Sequence, residues 1–249
     1  MSARDLPWRH TTDPYAILVS EVMSQQTQVA RVVPRYETWL QRWPDADALA
    51  AARTADVLGA WVGLGYNSRA LRLKEACVIV ARDGWPRTAA GLRALPGVGP
   101  YTAAAVASFA FGEQLAAVDT NVRRIAGRIG RGGPQDLVPV GAAATWNQAA
   151  MELGALVCGA RTARCEVCPA APWCASRGAV APVERRPRGS AVRFQDTNRW
   201  VRGRIVAALA AGAQLPQDIA PERLRHALDT LVRDGLVQET GGAAALTAG

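Results

Sequence analysis

Residues 95–106 read LPGVGPYTAAAV. The segment describes a tight turn built on Gly97 and Gly99, closed by Pro100 and followed by a small-residue helix that starts near Tyr101 and ends at Gly112. Glycine reaches backbone torsions that other residues resist, and it leaves a turn bare of side chains. Backbone N–H groups of such a turn can approach a phosphate oxygen, and the free N–H groups and dipole of the next helix add to the attraction. By itself the segment fits an ordinary turn between two helices equally well.

Working outward, nearly everything else is helical in period. Apolar residues recur at helical spacing over Tyr15–Val29, behind the start signal Asp13-Pro14. Pro34 opens a second helix through Trp39 and Leu40. Ala46–Trp61 holds one or two short helices, with Asp47 or Thr54 as N-cap. Further helices are expected over Arg69–Arg82, Thr88–Leu95, Asp119–Ile129 and Ala142–Val157. The stretch GAVAPVERRPRG (Gly178–Gly189) is rich in Pro, Gly and Arg and reads as a linker. Beyond it, Trp200–Ala210 and Pro221–Asp234 read as helices, and Gly235–Gly242 with Ala243–Thr247 as a short β-wing. The fold class is therefore all-α, with a small winged-helix-like module at the C-terminus.

The chain has 249 residues, 49% of them hydrophobic, with no apolar run long enough to span a bilayer. The N-terminal MSARDLPWRHTTDP lacks an apolar signal core, so a cytoplasmic, nucleoid-associated protein without membrane contact is expected. The formal charge of +8 favours a polyanionic partner, nucleic acid first, although an Arg-rich surface with no partner has the same charge. Lys74 is the sole lysine. Arginine binds phosphate bidentately but forms no Schiff base, so lysine-dependent lyase chemistry has one side chain and the terminal amine to draw on.

Four of the five cysteines, Cys158, Cys165, Cys168 and Cys174, follow the pattern C-x6-C-x2-C-x5-C. Clustered thiols in a cytosolic chain point to a metal site rather than to disulfides. Structural zinc usually takes two close pairs, and here there is one, so the spacing favours a larger iron–sulfur cluster over a single zinc ion. Arg161 and Arg164 lie in the loop closed by Cys158 and Cys165, where two guanidinium groups can meet a phosphate backbone. Cys77, in an apolar stretch, reads as a buried, inert thiol. Asp119, in AAVDTNVRRI, reads as a helix N-cap, a role compatible with catalysis because a capping carboxylate is ionised and rigid. Glu21 sits mid-helix in VSEVMSQQTQV. Among apolar neighbours such a carboxyl can be a general acid, but local sequence alone favours the polar face. Gln25–Gln28 form an uncharged polar patch suited to base edges.

Taken together, RDLPWR (Arg4–Arg9), SEVMSQQTQV (Ser20–Val29), GLGYNSRA (Gly63–Ala70), LPGVGPYTAAAV (Leu95–Val106), VDTNVRRI (Val118–Ile125) and WNQAAMELGALVC through Cys174 resemble the helix-hairpin-helix, Gly/Pro-Asp DNA glycosylases, and most closely the MutY-type adenine glycosylases. The segments occur in the family's order and cover about residues 4–175. The resemblance implies a [4Fe–4S] cluster on the four cysteines, Asp119 as catalytic aspartate and Glu21 as the acid that protonates adenine. Tyr101 matches a position that is Tyr or Ser in monofunctional members and Lys in strong lyases. Gln26 and Tyr66 match side chains that enter the base stack. Thr27 and Leu64 fall near the base opposite the target. Gly97 and Gly99 match the DNA-binding hairpin. Arg4, Leu6, Trp8, Arg9 and Gln148 match positions around the adenine pocket or its support.

The implied architecture is two-lobed. A six-helix barrel lobe spans residues 10–113, a cluster lobe takes 1–9 and 114–180, residues 181–196 link, and 197–249 form the winged-helix-like module. The implied activity is hydrolysis of the N-glycosidic bond of adenine mispaired with 8-oxoguanine or guanine, without efficient strand cleavage, by a monomer acting on double-stranded DNA. Three features depart from the family. Ser24 stands where Leu is usual, the chain begins almost at LPW, and the usual Nudix-like C-terminal domain has no room. A wider range of adenine mispairs is expected from these. The alternatives are a same-fold glycosylase acting on thymine or uracil opposite guanine, a catalytically inactive iron–sulfur DNA-binding protein, and an endonuclease III-type lyase.

Overall fold

In the computed structural model, which describes residues 4–180 and 192–247, the chain runs through eleven α-helices before a single β-hairpin. In order these are α1 (Pro14–Ser24), α2 (Val29–Arg42), α3 (Ala46–Ala51), α4 (Thr54–Trp61), α5 (Ser68–Asp83), α6 (Ala89–Leu92), α7 (Pro100–Phe111), α8 (Thr120–Ile129), α9 (Ala143–Leu156), α10 (Asn198–Ala210) and α11 (Pro221–Arg233). Strands β1 (Val237–Thr240) and β2 (Ala243–Leu246) pair antiparallel, Val237 opposite Leu246. The expected linker lies mostly outside the described residues, because 181–191 are not among them. No helix among the described residues is long and apolar enough to cross a membrane.

The chain divides into two compact units, Met1–Glu21 with Trp85–Pro187, and Val22–Gly84 with Arg188–Gly249. The first is organised on α7, whose residues Thr102–Ser108 are all buried. A helix covered on every side must be apolar all round, and alanines let its neighbours come close. Ala104 and Ala105 pack with Ala117, and Tyr101, Phe109, Leu115 and Met151 complete the cluster. A second cluster joins Ile125 of α8 to Leu153 and Val157 at the end of α9, beside Cys158 and Cys168. Close packing of α8 on α9 depends on Gly154. A Cβ there would stand 2.6 Å from Asn121 Cβ and 3.2 Å from Ile125 Cδ1, which is inside van der Waals contact.

The second unit has a tryptophan core. Trp39 meets Trp43 and Trp61 edge-on, with ring centroids 4.7 and 5.4 Å apart, the geometry that aromatic quadrupoles favour. The C-terminal module belongs to this unit and buries Val201, Ile205, Val206, Leu228, Leu231, Leu236 and Val237. It packs on α4, with Ala210 beside Gly59 at ordinary van der Waals distance, 3.6 Å from a Cβ placed at that position.

Local details differ from the sequence expectation in four places. The helix expected over Tyr15–Val29 stops at Ser24, because carbonyls at its end are taken by Arg69 from α5. Pro34 lies inside α2 rather than opening it, at the cost of one ladder bond to Ala30. The N-cap of α3 is Asp45, whose side chain accepts from Ala48 N, and not Asp47. In the hairpin only Gly97 has a left-handed backbone, with φ of 76°. Gly99 has an ordinary φ of −82° and no atom within 4 Å of a Cβ placed on it, so its bareness serves access, not torsion.

Candidate active site

The first unit brings Glu21, Tyr101 and Asp119 into one interacting group. Glu21 comes from the last turns of α1 and Tyr101 from the first turn of α7, directly after the glycine hairpin. Asp119 is the N-cap of α8. The Tyr101 hydroxyl hydrogen-bonds the Glu21 carboxyl and lies 3.7 Å from Met151 Sδ. Glu21 is partly exposed as a residue, yet the packing around its carboxyl strips it of water. That desolvation pushes its pKa up to about 7; the Tyr101 hydrogen bond opposes the rise and the Asp119 charge adds to it. Burial, with the two carboxylates nearby, pushes the Tyr101 phenol far above its usual value, so it stays protonated and acts as a donor.

Asp119 is held from both sides. Its Oδ1 accepts from Val122 N at 2.7 Å and its Oδ2 from Asn121 Nδ2 at 2.8 Å. Asn121 Oδ1 in turn accepts from Arg124, whose guanidinium also donates to the Cys158 and Gly154 carbonyls. Upstream, Asn147 is fully buried and satisfies the strand-like approach to Asp119. It accepts from Ala117 N and donates to the Leu115 carbonyl and to Ser108 Oγ, all at 2.8–3.0 Å. The sequence reading passed over Asn147, although a polar residue between apolar turns of α9 was a signal.

It also missed Glu152, the partner of Arg4 and Arg9. Glu152 is 1% exposed. Burial pushes its pKa up, but hydrogen bonds from Arg4 and Arg9 outweigh burial and hold it down at about 2. Each guanidinium reaches Oε1 at 2.5 Å, and Arg9 also donates to the Arg4 carbonyl. Both arginines are therefore spent on pinning the N-terminal segment to α9. Leu6 is buried beside them, Trp8 is half-buried in the short turn Pro7–Arg9, and Gln148 is half-buried on α9.

The four clustered cysteines line one cavity with Arg128 and Arg164. Arg128 Nη1 lies 3.1 Å from Cys158 Sγ, and Cys174 Sγ donates to the Arg128 carbonyl at 3.3 Å. Among the described residues, no group of three or more His, Cys, Asp or Glu side chains is set to hold a single metal ion. Arg161 is exposed, while Arg164 donates to the Leu156 carbonyl. Cys77 is fully buried and its thiol is pushed up to about 12, the inert state expected.

In the second unit, Gln26 and Tyr66 are the two non-glycine residues with positive φ among those described, at 55° and 50°. Both are exposed. Such torsions are rare outside glycine and cost on the order of 1–3 kcal/mol. They are held by Arg69. Its guanidinium donates to the carbonyls of Val22 (2.7 Å), Gln25 (2.6 Å), Leu64 and Gly65 (both 2.9 Å). Its Nε is a buried nitrogen with no partner. Thr27 is half-buried and bonds the Leu64 carbonyl, and Leu64 itself is 6% exposed, so the Leu64 side chain serves the core.

Comparison with known proteins gives the class first. Residues 19–138 match the HhH-GPD superfamily of base excision DNA repair proteins. The chain is 43% identical to the adenine DNA glycosylase of Mycobacterium tuberculosis over 96% of its own length and 87% of that protein. It is 41% identical to the human adenine DNA glycosylase over 75% of its length, which is 39% of the human chain. Among solved structures, a thermostable thymine-DNA glycosylase superposes with a TM-score of 0.65 at 30% identity, covering 71% of this chain and 89% of the other. The chain belongs to the adenine DNA glycosylase family within that superfamily.

Proposed function

We propose that the protein hydrolyses the N-glycosidic bond of adenine mispaired with 8-oxoguanine or guanine, as a monofunctional enzyme of base excision repair. One observation carries the reading: the Glu21 carboxyl, desolvated and hydrogen-bonded by the Tyr101 hydroxyl, lies within electrostatic reach of the rigidly capped Asp119. Two carboxyl groups with different environments take acid and carboxylate roles at one pH. The named relatives support adenine over thymine.

A base inside a duplex must be extruded before it reaches such a site. Gln26 and Tyr66, exposed and conformationally fixed, fill the gap it leaves. Glu21 donates its proton to adenine N7. The C1′–N9 bond then breaks with its electron pair going to the neutral leaving adenine. Positive charge develops on the deoxyribose, and the fixed Asp119 carboxylate stabilises it. Water adds to C1′ and gives up a proton to the Glu21 carboxylate, restoring the acid. Tyr101 keeps the Glu21 carboxyl aimed. It offers no amine, so no Schiff base forms and strand cleavage is inefficient. The hairpin at Gly97–Gly99 and the first N–H groups of α7 bind a phosphate. Arg4 and Arg9 act as support through Glu152, and Leu6, Trp8 and Gln148 border the adenine pocket.

We assign a [4Fe–4S] cluster to Cys158, Cys165, Cys168 and Cys174. Four thiols lining one cavity, in the spacing C-x6-C-x2-C-x5-C, support this assignment. The four thiolates would hold the cluster, and when bound it would cross-link the loop that carries Arg161. Four irons per chain and broad visible absorbance are expected; a colourless protein with one zinc overturns the assignment. The enzyme is proposed to act as a cytoplasmic monomer on nucleoid DNA.

The decisive experiment is single-turnover release from duplexes with adenine opposite 8-oxoguanine or guanine, and thymine opposite guanine. Adenine release from both adenine mispairs is expected. Thymine release with adenine untouched overturns the reading, and a strong borohydride-trapped adduct overturns its monofunctional part.

A further inference from the structure

The C-terminal module places an unneutralised arginine on Tyr66. Arg199, near the start of α10, donates from Nη1 to the Tyr66 hydroxyl at 2.6 Å. Its guanidinium also stacks over two rings, 4.9 Å from the Tyr66 centroid and 5.0 Å from that of Phe194. No carboxylate pairs with Arg199 among the described residues. Arg202 and Arg204, on the same helix, are neutralised by Asp234 and Asp218. Tyr66, Phe194, Arg199, Arg202 and Arg204 line a cleft of about 850 Å³ that also takes in Gln26 and Arg31, which is exposed and has no ion pair among the described residues. Every lining residue belongs to the second unit.

Exposed rings interleaved with free guanidinium groups are the chemistry that binds unstacked nucleotides, with rings for the bases and cations for the backbone. Tyr66 is 42% exposed and Phe194 54%, unusually open for such large side chains. The cleft's one lining carboxylate, Asp234, is tied to Arg202, so the cleft can bind a nucleotide but has no free acid to act on it. Extrusion of adenine leaves one base unpaired, and that base is on the opposite strand.

We propose that Arg199 is a positioning residue: from the C-terminal module it holds Tyr66, a side chain that the family resemblance places in the base stack, ready to enter it. The 43% identity to the M. tuberculosis enzyme extends over 96% of the chain and so takes in most of this module. The inference rests on the adenine glycosylase reading.

The test uses the full chain, Arg199→Ala and Arg199→Lys, each also in a Tyr66→Ala background. One readout is single-turnover adenine release. The other is fluorescence of 2-aminopurine placed opposite the target adenine, which reports local unstacking without chemistry. Arg199 is exposed, and thermal unfolding checks that the fold is kept. Arg199→Ala is expected to slow release at least about tenfold, as misplacement of a positioning group does, and to abolish the fluorescence change. Arg199→Lys should recover only part, since lysine keeps the charge without the planar stack. Neither substitution should add to Tyr66→Ala. Wild-type rates and fluorescence for Arg199→Ala overturn the proposal, as does an equal loss in the Tyr66→Ala background. If the wild type releases no adenine, the functional reading fails, and the fluorescence arm still decides whether Arg199 positions Tyr66.

Discussion

The surroundings of Asp119 and those of Gln26 and Tyr66 are built on opposite plans. Asp119 has relaxed backbone torsions, both oxygens bonded, and neighbours fixed in turn by Asn147 and Arg124. Gln26 and Tyr66 have strained torsions, exposed side chains, and loops gathered by one arginine whose Nε has no partner. The contrast fits the roles proposed for each. A carboxylate that meets a developing charge must not move as the charge appears, since reorganisation would consume its benefit. A side chain that enters a base stack meets a flexible partner, and the Arg69 hydrogen bonds offset the strain of the one conformation that leads in.

Four substitutions probe that contrast. Glu21→Gln should lower adenine release by a factor on the order of 10²–10⁴. Wild-type release should decline as pH rises through about 7, where the acid loses its proton, and the variant should show no such decline. The same substitution should raise the melting temperature at pH 8. The folded pKa lies above the unfolded one, so this carboxyl contributes stability below its unfolded pKa that is lost as pH rises through about 7, whereas Gln carries no charge to desolvate. A variant no more stable than wild type at pH 8 means that the carboxyl is solvated.

Asp119→Asn should cost a factor on the order of 10²–10³ in single-turnover rate. Asparagine keeps the cap to Val122 N but sets its amide against the Asn121 amide, so a loss of about 1 kcal/mol is expected in melting, too small to unfold the protein. A wild-type rate removes Asp119 from the mechanism. Arg69→Met keeps most of the apolar stem but leaves four carbonyls without their shared donor. A loss of about 1–3 kcal/mol in denaturant unfolding is expected, with slower release at unchanged duplex affinity. Intact stability means that the loops carry their own conformation. The smallest effect belongs to Gln26→Gly, which should relieve a left-handed torsion and stabilise the protein by up to about 1 kcal/mol while slowing release. If stability falls instead, the torsion is not strained.

The sequence was most readable where function and local structure coincide. Asp119 could be found from VDTN because a cap is a local device, and the helical periods of α8 and α11 mark themselves. It was least readable where a distant group decides. Nothing within residues 15–29 announces a break at Ser24, because the cause is a guanidinium on α5. Glu152 looks like surface until Arg4 and Arg9 arrive from the other end of the chain. The raised pKa of Glu21 was legible only as a possibility, since it depends on Tyr101 and Asp119 and on burial that local sequence does not reveal.

Gly154 ties this arrangement to the packing of α8 on α9. Adding a single methyl there forces Asn121 aside, and Asn121 holds one oxygen of Asp119. A Gly154→Ala substitution would therefore strike twice, loosening α8 from α9 and shifting the asparagine that holds the Asp119 carboxylate.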